Sequence, residues 1–241
     1  AVAAGALWFY GQYLYSKEGP RTADGGARIV VIPKGANVPT ATAALKEAGA
    51  IEDDFSFRAV VRALDIIPGA ERLSLKAGEY AIPSGTPMKQ LIKQLSSGSS
   101  LQYNVVIREG ITSAQAMRLL AETEWPTTRK TAEAGVPKLT YKLAGEPPKA
   151  PAEGVMLPGD YAVQRGDTID SVVTRAIKRQ QDLLAEVWPK RQDGLPFKTP
   201  EEAVNLASIV EKETGNAEER PEVAAVFVIR LRRSMRLESD P

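Results

Sequence analysis

The sequence predicts an α+β protein, on three observations. A short pattern of two apolar residues, a polar turn with glycine and an amphipathic helix occurs four times. The chain thus alternates strand-length and helix-length apolar periods and sustains neither over a long stretch. Ahead of the first copy lies a run of fifteen uncharged, mostly apolar residues unlike anything that follows.

That run, Ala1 to Tyr15, reads AVAAGALWFYGQYLY. As a helix it would span about 22 Å at about 1.5 Å per residue, less than the roughly 30 Å of a bilayer's hydrocarbon core. Trp8, Phe9, Tyr10, Tyr13 and Tyr15 cluster toward its end, a placement that suits a membrane–water interface. Residues 1–15 are therefore read as the C-terminal part of a truncated transmembrane helix. A signal-peptide remnant or an apolar core helix is the competing reading. Residues 16–27 are a polar, glycine-containing tether.

The first pattern copy is Val31-Ile32-Pro33-Lys34-Gly35 before a helix near 38–48. The second is Ala81-Ile82-Pro83-Ser84-Gly85 before one near 87–96, and the third Val106-Ile107-Arg108-Glu109-Gly110 before one near 112–123. The fourth is Ala162-Val163-Gln164-Arg165-Gly166 before a helix near 168–182. Each describes a strand, a tight glycine turn and a helix returning over the strand. One such unit cannot bury its apolar face alone, so neighbouring copies pack into small α+β modules. Strand-Gly-helix is also generic, and internal duplication is not required to explain it.

Residues 28–100 make the first module, with extra helical periodicity from Asp53 to Leu64 and a Ser/Gly stretch at 96–100. The remainder, 101–241, forms a second region. Within it, Lys142 to Gly154, with Pro147, Pro148 and Pro151, reads as a connector.

Composition narrows the chemistry. The 241 residues contain no His and no Cys, which removes the Ser-His-Asp triad and the thiolate nucleophile. A zinc site would need carboxylates alone, so no metal and no cofactor is expected. A net charge of +1 lacks the basic surplus of nucleic-acid binding. An acid or base must then be a carboxyl group.

One helix offers such a group. Thr199-Pro200-Glu201-Glu202 supplies an N-cap, a proline at the first position and acids at the positive end of the dipole. With Leu206 at zero and about 100° per residue, Val210 falls near about 40° and Glu213 near about 340°, on the apolar stripe. Glu211 falls near about 140°, on the flank. Glu213 is thus the expected inward carboxyl. An inward Glu either raises its pKa, and can then shuttle a proton, or pairs with a cation. Arg220 and Arg230 are the available cations, and Gly215-Asn216 could instead leave a frayed helix end.

At these residues the chain resembles a known family. Ala207-Ser208-Ile209-Val210-Glu211-Lys212-Glu213-Thr214, then Glu219-Arg220, Val223-Ala224, Val226-Phe227, Arg230-Leu231, Met235-Arg236-Leu237 and Asp240-Pro241 are similar to the YceG-like (MltG) endolytic murein transglycosylases. Glu153-Gly154, Leu157-Pro158 and Asp160-Tyr161 resemble a degraded form of another family block. Lys76 to Tyr80 and Arg108-Glu109-Gly110 fit its N-terminal half.

The resemblance implies a LysM-like α+β module at 28–100 and a mixed α/β catalytic region at 101–241. It makes Glu213 the catalytic acid/base, with Glu153, Glu219 and Glu238 as candidate substrate-binding groups. The implied reaction cleaves the MurNAc-β-1,4-GlcNAc bond within a glycan strand. The MurNAc 6-hydroxyl attacks its own anomeric carbon, so one carboxyl group suffices where hydrolases need two.

The family carries Asn at the position of Ile229 and Gln at that of Glu238, and it continues past Pro241. Implied partners are peptidoglycan strands, peptidoglycan synthases and the membrane, with no nucleic acid. The implied location is the bacterial inner membrane, single-pass, with the catalytic region in the periplasm. A non-catalytic, membrane-anchored peptidoglycan-binding scaffold is the alternative, and a hydrolytic glycosidase the third choice. The cluster Arg230, Arg232, Arg233 and Arg236 is either a contact for acidic stem peptides and lipid phosphates or a solvated face pairing with Glu218, Glu219 and Glu222.

Overall fold

The structure, a computed structural model, describes residues 2–128 and 139–239, with side chains from residue 9 onward. The side chain of Trp8 and the motif-closing Asp240-Pro241 lie outside the described residues. Helices alternate with small two-stranded sheets, as an α+β fold requires.

Helix α1 (Val2–Ser16) is the N-terminal apolar run, 15 residues long. Among the described residues no helix is long and apolar enough to cross a membrane. The end of α1 instead contributes Leu14 and Tyr15 to packing against the protein core that follows.

All four pattern copies fold as strand, turn and helix. β1 (Arg28–Ile32) leads to α2 (Val38–Glu47), and β2 (Gly78–Ile82) to α4 (Met88–Ser97). β3 (Tyr103–Ile107) leads to α5 (Ser113–Glu122), and β6 (Gly159–Val163) to α6 (Ile169–Val187). The turn glycines Gly35, Gly85, Gly110 and Gly166 have φ of +76°, +76°, +67° and +95°, values at which any β-carbon is strained. Asn37, Thr112 and Thr168 cap three of the helices by accepting from the backbone N–H of Thr40, Gln115 and Ser171. The strands then pair two by two, β1 with β2 and β3 with β6.

Two compact units share the chain, and they interleave along it. The first comprises residues 1–104, 125–141 and 162–166; the second comprises 105–124, 142–161 and 167–241. In the first, β1 and β2 run antiparallel, with Arg28 opposite Ile82 and Ile32 opposite Gly78. Val30 and Ile32 point into the core while Val31 is exposed, the alternation of a one-sided strand. Phe57 from α3 (Asp54–Ile66), Leu45 from α2 and Leu91 and Leu95 from α4 cover that face.

A buried polar cluster also belongs to the first unit. Glu79 is 2% exposed, accepts a hydrogen bond from the Tyr103 hydroxyl and pairs with Arg165 at 3.0 Å. A buried carboxylate without such partners would be strongly unfavourable. The rings of Tyr103 and Tyr141 lie 5.2 Å apart beside it. β4 (Glu124–Pro126) and β5 (Thr140–Lys142) form the third small sheet.

The second unit is built on α5, α6, α7 (Pro200–Glu213) and α8 (Arg220–Arg232). α7 starts as expected: Thr199 accepts from Glu202 N–H and Pro200 takes the first position. α7 and α8 pack through Leu206, Val210 and Phe227. The connector 142–154 is largely irregular. Beyond it, Leu157 N–H donates to Ala176 O at 3.1 Å, fastening the 153–158 loop to α6.

Candidate active site

A cavity of about 680 Å3 opens within the second unit, inside the range of about 300–1,000 Å3 typical of small-ligand sites. Its walls are α6, α7, the β3–α5 turn with the start of α5, and the 153–158 loop. The reason it stays open is legible on α7. Ala203 and Ala207, four residues apart, line it together with Ser208, and small side chains at i, i+4 leave a groove along a helix. The large residues Leu206 and Val210 are on the other face, buried against α8.

That division of faces decides which glutamate reaches the cavity. Glu211 continues the Ala203–Ala207 stripe, is half-buried and lines the wall with Lys212. Glu213 does not. It is exposed and absent from the lining, so the expectation that it continues the apolar stripe is corrected. The helix ends at Glu213, and Thr214 leaves the helical path with φ −143° and ψ 131°. The buried position at this end is held by Thr214, which is 8% exposed.

Glu211 is positioned from two sides. Its Oε2 lies 3.0 Å from an Arg220 nitrogen, an ion pair between partly exposed side chains. On the other side the β3–α5 turn closes over it. A β-carbon on Gly110 would sit 3.8 Å from Glu211 Cγ and 3.7 Å from Lys212 Cε. The Arg-Glu-Gly block of the third pattern copy thus abuts the Glu-Lys of α7.

The other predicted site residues separate clearly. Glu153 does line the cavity, and its Oε2 accepts from Ser113 N–H at 2.9 Å at the start of α5, where a negative charge meets the positive end of a helix. Glu219 is away from it: Oε2 accepts from the Thr214 hydroxyl at 2.8 Å and Oε1 from Asn216 Nδ2 at 3.1 Å. Both oxygens serve the α7–α8 corner. Glu238 is an exposed carboxylate 3.8 Å from Arg230 and outside the lining. Ile229 lies on α8, 46% exposed. Arg232 reaches the Gly194 carbonyl at 2.8 Å. Glu153 alone of the four predicted residues meets the cavity.

Glu211, Lys212 and Gln180 line the cavity and were not singled out from the sequence. The signal for Glu211 was present in the small-residue spacing of Ala203, Ala207 and Glu211. It was overlooked because apolar character, not side-chain size, was followed around the helix. Gln180 lies on α6, one turn before Leu183 and Leu184, and carried no motif. No group of three or more His, Cys, Asp or Glu side chains able to hold a metal occurs among the described residues.

Comparison with known proteins places these features in a family. The sequence model of the YceG-like family matches residues 30–241. An endolytic murein transglycosylase of Bacillus subtilis (strain 168) is 24% identical over 248 residues, covering 96% of this chain and 67% of that protein. One from Streptococcus pneumoniae serotype 2 (strain D39) is 27% identical over 268 residues, 99% of this chain and 46% of that protein. The chain therefore spans less than half the length of the pneumococcal relative. A crystal structure of a putative yceG-like protein from Listeria monocytogenes is 19% identical with a TM-score of 0.39, over 90% of this chain and 74% of that one. With the family match running from β1 through the glutamate-bearing helix to the last residue, the chain belongs to the YceG-like family.

Proposed function

We propose that the protein is an endolytic lytic transglycosylase of peptidoglycan and that Glu211, two residues before the Glu213 that the family resemblance implies, carries its proton. The observation behind this reading is the half-buried Glu211 carboxyl on the wall of a cavity of ligand size. The names of the relatives support the reaction class.

The chemistry asks little of the protein. A neutral carboxyl donates its proton to the O4 leaving oxygen as the C1–O4 bond breaks. The substrate's own C6 hydroxyl closes on C1, and its proton passes to the carboxylate, restoring the starting form. No water is consumed, so no second carboxylate is needed to activate one. The ion pair with Arg220 is made by the ionised form, so before the first transfer the carboxylate leaves Arg220 and takes up one proton from solvent. Positive charge developing at C1 calls for a nearby anion or dipole, and Glu153, held on α5 at the same cavity, supplies one.

The same proposal places the protein at the membrane of a bacterial envelope. α1 exposes Phe9, Tyr10 and Tyr13, side chains suited to an interface. The LysM-like reading of residues 28–100 and an association with peptidoglycan synthases belong to this proposal as well.

The test is the mass of the products from uncrosslinked glycan strands. Transglycosylation leaves 1,6-anhydro ends, one water lighter than the ends a hydrolase leaves. Retention of the glycan with no new ends would favour the scaffold reading, and hydrated ends a hydrolase.

A further inference from the structure

Gln180 is unusual among the residues of the cavity. It is 8% exposed and part of the wall, yet its Oε1 is buried without a hydrogen-bond partner. Buried polar atoms in folded proteins nearly always find partners, and each exception asks for an explanation. Gln180 lies outside the blocks on which the resemblance was read, and the proton-transfer steps do not use it.

Its surroundings are specific. Leu183 and Leu184, three and four residues on, share the helix face turned to the cavity, and Met156, Leu157 and Pro158 lie on the loop that also lines it. A primary amide in an apolar wall pairs best with a ligand group that has a donor and an acceptor side by side and an apolar end. The 2-acetamido group of an amino sugar has that form, with an N–H, a carbonyl and a methyl. The Gln amide torsion is broad and two-fold, so a turn of the terminal group delivers either its oxygen or its NH2 to the void.

We propose that Gln180 reads the acetamido group of an N-acetylated sugar bound in this cavity, with the methyl seated on Leu183 and Leu184. This rests on the reading of the cavity as a glycan site and adds a specificity-determining residue to it. Such a residue selects substrate and leaves the proton transfers to Glu211. Leaving Gln180 Oε1 unpaired in the free protein makes sense on this account. The ligand supplies the missing partner, and a sugar that lacks the acetamido group leaves the amide unsatisfied.

The experiment measures binding, so it stands apart from turnover. Calorimetry on the chain carrying Glu211→Gln compares chitotetraose with cellotetraose, neutral β-1,4 tetramers that differ in the 2-acetamido and 2-hydroxyl groups. The expected preference for chitotetraose is about tenfold, the ratio that one hydrogen bond of ordinary net strength provides. Adding Gln180→Leu should reduce the preference to about twofold or less while cellotetraose affinity holds. The melting temperature of Gln180→Leu should stay level or rise, because an unsatisfied buried atom is removed. A lower melting temperature with the preference intact would show a structural amide and overturn the proposal. Failure of chitotetraose to bind would overturn it too. If binding discriminates but native protein makes no anhydro ends, the reaction assignment fails and the acetamido reader stands.

Discussion

Gly154 holds the 153–158 loop against α7, and replacing it with alanine tests how the cavity is framed. Its φ is +77°, where a β-carbon costs about 1–2 kcal/mol. That carbon would also lie 2.8 Å from Val204 Cγ1, an overlap that forces the loop or the valine to shift and adds about 1 kcal/mol. Gly154→Ala should therefore destabilise the protein by about 2–3 kcal/mol. Val204→Ala alone removes two methyl groups from a half-buried site and should cost about 1 kcal/mol. In the double variant the overlap disappears while the backbone strain remains. The two substitutions should thus couple favourably by about 1 kcal/mol, read by urea unfolding in a double-mutant cycle. Because Glu153 is the next residue back, Gly154→Ala should also weaken glycan binding, and Val204→Ala should restore part of it. A coupling indistinguishable from zero would show that the loop does not bear on α7 as described.

Two further expectations come from hydrogen bonds. Burial, and then the hydrogen bond to Glu79, push the Tyr103 hydroxyl up to about 12. A pKa raised on folding gives stability that is whole below about pH 10, where an unfolded tyrosine begins to ionise, and that is lost as pH rises toward about 12. Tyr103→Phe should cost about 2 kcal/mol at neutral pH, since a bond to a charged group is lost, and should flatten the alkaline limb of the stability curve. An unchanged limb would remove Tyr103 as its source. Glu219→Ala should cost about 1–2 kcal/mol by leaving the Thr214 hydroxyl unsatisfied, with glycan affinity unchanged. Lost affinity at equal stability would return Glu219 to the substrate site.

The local elements were legible because each is dictated by neighbours in sequence. The four turn glycines, the Thr199 cap and the Pro200 start were expected from residue type and spacing, and they stand where expected; the Asn37, Thr112 and Thr168 caps emerge from the structure. The pairing of β3 with β6 was less accessible. More than fifty residues separate them, and only packing chooses the partner.

The site was half legible for the same reason. Motif similarity led to a helix that lines the cavity, but the side of the helix that meets the cavity depends on where α8 sits. α8 covers Leu206 and Val210, while Glu213, the last residue of α7, is exposed, which a helical wheel cannot show. The corner contacts of Glu219 were not legible because they depend on Thr214 and Asn216 folding back to it. Gln180 could not have been found at all from sequence, since an unpaired buried amide is defined by what surrounds it.

Parallel assays of Glu211→Gln and Glu213→Gln on uncrosslinked glycan, scored for 1,6-anhydro ends by mass spectrometry, separate the two carboxyl groups. The expected result is turnover reduced by at least about 100-fold in Glu211→Gln, the scale of a lost general acid, with Glu213→Gln within about twofold of the native chain. The reverse pattern would move the proton carrier onto the exposed end of α7 and remove the cavity from the reaction.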